Sequence, residues 1–168
     1  MEIKVKYFDK EMPKLVKTEN GDMIDLRVAN IFICQNNTEC IKFTIKNRKT
    51  EVWTNNDYLI YNEGEVLVMR FGVAIELPED KRASVVSRSS TFTNYGLILT
   101  NGMGVIDNAY KGDNDEWLGV FYATRSGVIH KYDRICQFDI VDRMNVEITE
   151  VEKLGGVDRN GYGSTGKQ

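Results

Sequence analysis

Apolar residues fall at every second position along much of the chain, as in Ile3, Val5 and Tyr7, and again in Ile24, Leu26 and Val28. A period of two is the signature of a strand that buries one face. The pattern predicts a first strand within residues 1–12, stopped by Pro13, and a second over 23–28 that carries Asp25 among apolar neighbours. Short strands are expected over 31–33, 41–45 and 51–53, separated by the polar turns 35–38, 46–49 and 55–57. Further strands are expected over 65–69, 71–78, 83–86, 116–123 and 138–141, with a last one over 146–151. One short helix is expected over 90–94. No stretch sustains a 3.6-residue period, so the fold class is all-β.

The most informative stretch is 94–113. Two apolar runs, 95–99 and 103–106, flank Asn101-Gly102, a pair that tolerates positive φ and signals a two-residue hairpin. The second run delivers Asp107 and, three residues later, Tyr110. An acid and an aromatic at the exit of a hairpin with free backbone groups suit the clamping of a small planar ligand. Taken alone, this stretch reads first as an ordinary hairpin with a polar exit.

Composition narrows the setting. The 168 residues suit one domain, and 42% apolar with 28% charged is ordinary for a soluble globular chain. A net charge of −3 argues against a non-specific nucleic-acid binder. No apolar run approaches a membrane span, and the first residues lack a signal-peptide core, so a cytoplasmic location and no membrane partner are expected. Cys34, Cys40 and Cys136 form no Cys-x-x-Cys pair and are expected to be free thiols. His130 is the sole histidine, which excludes a zinc site built on a pair of histidines. Chemistry is therefore expected to run on carboxylates, a metal and positioned water.

Residues 104–113 fit the pattern Gly-x-Ile-Asp-x-x-Tyr-x-Gly. Upstream, Asp25-Leu26 matches half of Ala-Gly-x-Asp-Leu, and Arg88-Ser89 the centre of Pro-Arg-Ser-Gly, with Ser87 and Ser90 at its ends. Downstream, Asp133-Arg134-Ile135 and Gln137 match Gly-Asp-Arg-Ile-Ala-Gln at four of six positions, Tyr132 standing where the pattern has glycine. In the Gly-rich tail, Arg159 and then Gly161-Tyr162-Gly163-Ser164-Thr165-Gly166 follow Arg-Gly-x-Gly-Gly-Phe-Gly-Ser-Thr-Gly with a shorter spacer. These are, in order, the five motifs of the trimeric deoxyuridine triphosphatases (dUTPases), and the chain resembles that family in its phage-type form.

The resemblance implies a distorted jelly-roll β-barrel over 1–154, with an insertion at about 30–62, and a flexible Gly-rich arm over 155–168. It implies hydrolysis of dUTP to dUMP and pyrophosphate by in-line water attack on the α-phosphate, with Asp107 as general base. Tyr110 would lie under the deoxyribose, while Asn101, Gly104, Val105 and Ile106 read the uracil. Arg88, Ser89, Ser90 and Gln137 would hold phosphates, and Asp25 would hold Mg²⁺ through water. Arg159, Tyr162, Gly163, Ser164 and Thr165 would close over the substrate. The expected partner is a homotrimer with shared sites.

Two other functions share much of this evidence. A dCTP deaminase or bifunctional relative has the same fold and needs a glutamate near the strand after the hairpin, where Glu116 lies. A nucleotide-bound regulator would act on a protein partner through 30–62, with Phe43 and Trp53 as exposed aromatics.

Overall fold

The computed structural model describes residues 1–35, 37–47, 53 and 57–158. In chain order the elements are β1 (Lys4–Tyr7), β2 (Ile24–Arg27), β3 (Asn30–Ile33), α1 (Thr38–Lys46), β4 (Tyr58–Tyr61), β5 (Val66–Arg70), β6 (Val73–Glu76) and β7 (Lys81–Ser87). The rest are α2 (Thr91–Tyr95), β8 (Leu97–Leu99), β9 (Met103–Asp107), β10 (Leu118–Ala123), β11 (Gly127–His130) and β12 (Arg134–Asp142). Two four-stranded sheets dominate, in the orders β3-β5-β10-β8 and β2-β12-β7-β9. Two smaller pairs, β1-β6 and β11-β4, complete the all-β, jelly-roll-like body. All pairings are antiparallel.

The alternation read from the sequence fills the core. Leu26, Val85, Phe121, Ile135 and Phe138 point between the large sheets with Trp117, whose ring meets Phe138 edge-on at 5.0 Å. β5 departs from alternation: all five of its residues are buried. The reason is a second layer. Val68, Phe32 and Cys34 form a separate apolar cluster, covered by Cys40 and Ile41 of α1.

α1 corrects the strand expected over 41–45. The β-branched Ile41, Thr44 and Ile45 favour strand on propensity, which context readily overrides. Asn37 caps the helix, its side chain accepting from the Glu39 and Cys40 N–H groups, and acid and base stand in the first and last turns as the helix dipole prefers. The predicted hairpin is also corrected. Gly102 takes φ +68, but β8 pairs with β10 and β9 with β7, so the two runs enter different sheets. The strand expected over 146–151 does not form, because no neighbour supplies a ladder; residues 143–158 are exposed, with Ile148 at 91% and Leu154 at 94%. Trp53 is not an exposed aromatic: its Nε1 donates to Ala29 O at 2.8 Å and its ring packs on the core.

Candidate active site

β2, β7 and β12 bring three of the motif segments together. Arg88, just beyond the end of β7, places Nε 2.8 Å from Asp25 Oδ1. Arg134, the first residue of β12, places Nη1 3.0 Å from Asp25 Oδ2. Both carboxylate oxygens are thus engaged by guanidinium groups, a charge-assisted arrangement stronger than neutral hydrogen bonds. Gln137 lies directly opposite Asp25 in the β2–β12 register. The Arg88 backbone N–H donates to Ile135 O and the buried Thr91 hydroxyl donates to the same oxygen, tying α2 to β12. Ser89 is exposed, and Ser90 sits at the N-cap of α2 without spending its hydroxyl on the cap. The result is a surface with two cations, two hydroxyls and one carboxylate.

The third motif builds a different feature. A cavity of about 690 Å³ opens between β9 and the start of β10, a size suited to a small ligand. Asn101, Gly104, Val105, Ile106, Asp107 and Tyr110 line one side, and Trp117, Gly119 and Val120 the other. Asp107 ends β9 and is exposed. A turn closed by the Tyr110 N–H to Asp107 O bond sets the tyrosine beside it, and the Tyr110 hydroxyl donates to Glu116 O at 3.3 Å. Mostly apolar walls, with the Asp107 carboxylate and the Tyr110 ring at the rim, suit a planar, partly polar ligand.

The two features lie on one sheet but apart. Asp25, Gln137, Val86 and Met103 form one row across β2, β12, β7 and β9. Asp107 is four residues further along β9, paired with Arg82. With strands ~4.8 Å apart and ~3.4 Å of rise per residue, Asp25 and Asp107 of one chain are ~20 Å apart.

The structure places Asp25, Arg88 and Gln137 together, and sets Asn101, Gly104, Val105, Ile106, Asp107 and Tyr110 around one cavity. Sequence reasoning grouped them in the same way. It missed Arg134 as a partner of Asp25, although the Asp-Arg pair of the fourth motif carried the signal. It also missed Ile45, which reaches the cavity from α1. Arg159, Tyr162, Gly163, Ser164 and Thr165 lie outside the described residues. Glu116, the glutamate a deaminase would need, is buried: Oε2 pairs with Arg70 Nη1 at 3.2 Å and Oε1 accepts from the Gly72 N–H at 3.1 Å. Its carboxylate is committed to structure. Thiol chemistry is equally poorly placed, since burial pushes the Cys34 thiol up to about 11, helped by the neighbouring Cys40, and the Cys136 thiol up to about 12.

Comparison with known proteins agrees with the geometry. The family model described as dUTPase matches residues 52–167. The chain is 43% identical over 167 residues to the SPbeta prophage-derived deoxyuridine 5'-triphosphate nucleotidohydrolase YosS of Bacillus subtilis, covering 99% of both chains. It is 33% identical over 113 residues to a deoxyuridine 5'-triphosphate nucleotidohydrolase of Hydrogenobaculum, covering 66% of this chain and 78% of that one. Among solved structures, a mutant dUTPase of Staphylococcus bacteriophage 80alpha with dUpNHpp superposes with a TM-score of 0.69 at 18% identity, covering 99% of each chain. A mutant dUTPase of the S. aureus phage phi11, described with a structural Mg(II) ion, gives 0.67 at 14% identity over 92% of this chain and 99% of that one. The fold defines an all-β, jelly-roll-like domain of the kind these solved structures share. The chain belongs to the dUTPase family, in its phage-type branch.

Proposed function

We propose that this chain is a dUTP diphosphatase that cleaves dUTP to dUMP and pyrophosphate, with the deoxyuridine in the cavity of β9 and β10. The observation that carries the reading is that Asp107 and Tyr110 stand at the rim of a mostly apolar cavity of nucleoside size. Tyr110 lies under the sugar, where a 2′-hydroxyl would lose its water without gaining a partner. Asn101 and the β9 backbone from Gly104 to Ile106 read the uracil edge. Asp107 accepts a proton from a water as its oxygen attacks the α-phosphorus in line, and the bond from that phosphorus to the bridging oxygen of pyrophosphate breaks. Positioned general-base help of this kind contributes ~10²–10⁴-fold.

Arg88, Ser89, Ser90 and Gln137 hold phosphate oxygens, with Arg134 beside them. Among the described residues no group of three or more His, Cys, Asp or Glu is placed to cage a metal. A lone carboxylate already shared by two arginines suits Mg²⁺ that arrives on the triphosphate and keeps its water shell, with Asp25 reaching that shell. When bound, the ion supplies charge neutralisation along the triphosphate.

The ~20 Å between Asp25 and Asp107 in one chain exceeds the reach of one triphosphate bound to both. It favours a homotrimer in which the phosphate-binding cluster of one copy faces the cavity of the next. The exposed apolar positions of 143–158 support an arm that leaves its own body for a neighbour's, carrying Arg159, Tyr162, Gly163, Ser164 and Thr165 as the closing segment. A second reading, action on a protein partner through 30–62, is favoured by Phe43, which stands 65% exposed on α1. It adds to hydrolysis and does not replace it.

The test is pyrophosphate release from dUTP with Mg²⁺, run beside dCTP, dTTP and UTP, with ammonia measured in the dCTP reaction. Release confined to dUTP and abolished in Asp107→Asn is the expected outcome. Ammonia from dCTP, or full turnover by Asp107→Asn, would overturn the assignment.

A further inference from the structure

The insertion between the first two motifs does not stop at the surface; its helix ends on the cavity. α1 covers the outer face of the β3-β5-β10-β8 sheet, and Leu118 and Val120 of β10 both support that layer and line the cavity. At the C-terminal end of α1, Ile45 adds an aliphatic wall to the same space while remaining 42% exposed. None of the family motifs includes this residue.

What holds Ile45 there is a buried charge. The last carbonyls of a helix lack partners within it. Arg70, at the end of β5 and almost wholly buried, donates through Nη2 to Thr44 O at 2.7 Å and to Ile45 O at 3.0 Å. Its Nη1 pairs with Glu116, whose other oxygen accepts from the Gly72 N–H. Gly72 is itself fixed: it takes φ +65, and a Cβ there would fall 2.6 Å from the Ala29 Cβ. A continuous chain of hydrogen bonds thus runs from Gly72 through Glu116 and Arg70 to the helix end.

We propose that Ile45 forms part of the nucleoside subsite and sets affinity for the deoxynucleoside, with Arg70 as the positioning residue that seats it. The inference rests on the dUTPase reading above. An aliphatic wall packs against the flat faces of base and sugar and offers nothing to phosphates. It therefore binds ground state and transition state alike. Such uniform contacts appear in KM and not in kcat.

Steady-state kinetics on the full chain test this. Ile45→Ala is expected to raise KM for dUTP about 5-fold with kcat unchanged, the pattern of lost uniform binding. The inhibition constant of dUMP should rise by the same factor, while that of pyrophosphate stays put. Ile45→Leu should restore wild-type values, and Phe43→Ala on the same helix should move none of them. Arg70→Lys keeps the charge but loses the planar fork, and should shift KM in the same sense as Ile45→Ala. An unchanged KM and dUMP inhibition constant in Ile45→Ala, beside a wild type that turns over dUTP, would overturn the proposal alone. A loss confined to kcat would overturn it as well. A wild type without dUTP turnover would remove the reading beneath it and this inference together.

Discussion

Gly104 and Gly72 show how differently two glycines serve the molecule. At Gly72 the backbone is left-handed and a Cβ would fall 3.0 Å from Met12 Sδ as well as striking Ala29, so the fold itself demands glycine. Gly104 lies outside the left-handed region, and a Cβ there would meet Val85 Cβ at 3.5 Å and Asn101 Nδ2 at 3.8 Å, both ordinary contacts. Among the described residues nothing excludes a methyl at 104, which would point toward the cavity that Gly104 lines. Gly104→Ala is therefore expected to keep or raise the melting temperature, since alanine at a compatible position stabilises by ~0.4–1 kcal/mol. The same protein should bind dUTP ~10-fold or more weakly, as a methyl overfilling a close-packed contact costs about 1–3 kcal/mol. Thermal melts and KM on one preparation check both; a lowered melting temperature would return Gly104 to a purely structural role.

Elements were legible where the period was clean. β5, β7, β10 and β12 fall where alternation or an unbroken apolar run put them, because their cross-strand neighbours agree with local propensity. α1 was not, because Ile41, Phe43 and Ile45 alternate like a strand while Asn37, Glu39 and Lys46 mark a capped helix. Arg70, a charge closing a fully buried strand, was the other readable sign that something must cover β5 and meet that charge. The turn from β11 into β12 holds a further device. Tyr132 adopts φ +68, the conformation for which the family pattern carries glycine, and its hydroxyl donates to Asp9 Oδ2 at 2.6 Å. Lys131 Nζ stands 3.3 Å from the same oxygen, so the N-terminal segment is latched to this turn.

That latch has an acid signature. Partial burial alone would push the Asp9 carboxyl up, but the Tyr132 hydroxyl, the Glu11 N–H and Lys131 outweigh it and hold the carboxyl below the usual range. A carboxyl lowered in the folded state contributes stability that is present above its unfolded value of about 3.9 and is lost as pH falls through the folded value. Melting temperature should therefore fall more steeply for the wild type than for Asp9→Asn as pH drops from about 5 toward 3. The two curves should run parallel above that range, with the wild type higher. Parallel curves throughout would show that folding does not lower the Asp9 carboxyl.

At the scale of the molecule, motif order along the chain says nothing of how far apart the motif residues lie. Asp25, Arg88 and Gln137 gather because β2, β7 and β12 are neighbours, whereas Asp107 sits at the far end of β9; no one-dimensional pattern carries that distance. Its consequence is genetic as much as structural. If a working site takes Asp25 from one copy and Asp107 from the next, two inactive variants repair each other when assembled together. Asp25→Asn and Asp107→Asn chains, unfolded, mixed in equal amounts and refolded, should recover about a quarter of wild-type turnover, because each mixed ring of three holds one site built from two intact halves. A mixture as inactive as its parents would place both carboxylates in the service of a single chain. In a cell carrying two damaged copies, one altered at Asp25 and the other at Asp107, the same arithmetic lets two broken genes supply one working enzyme.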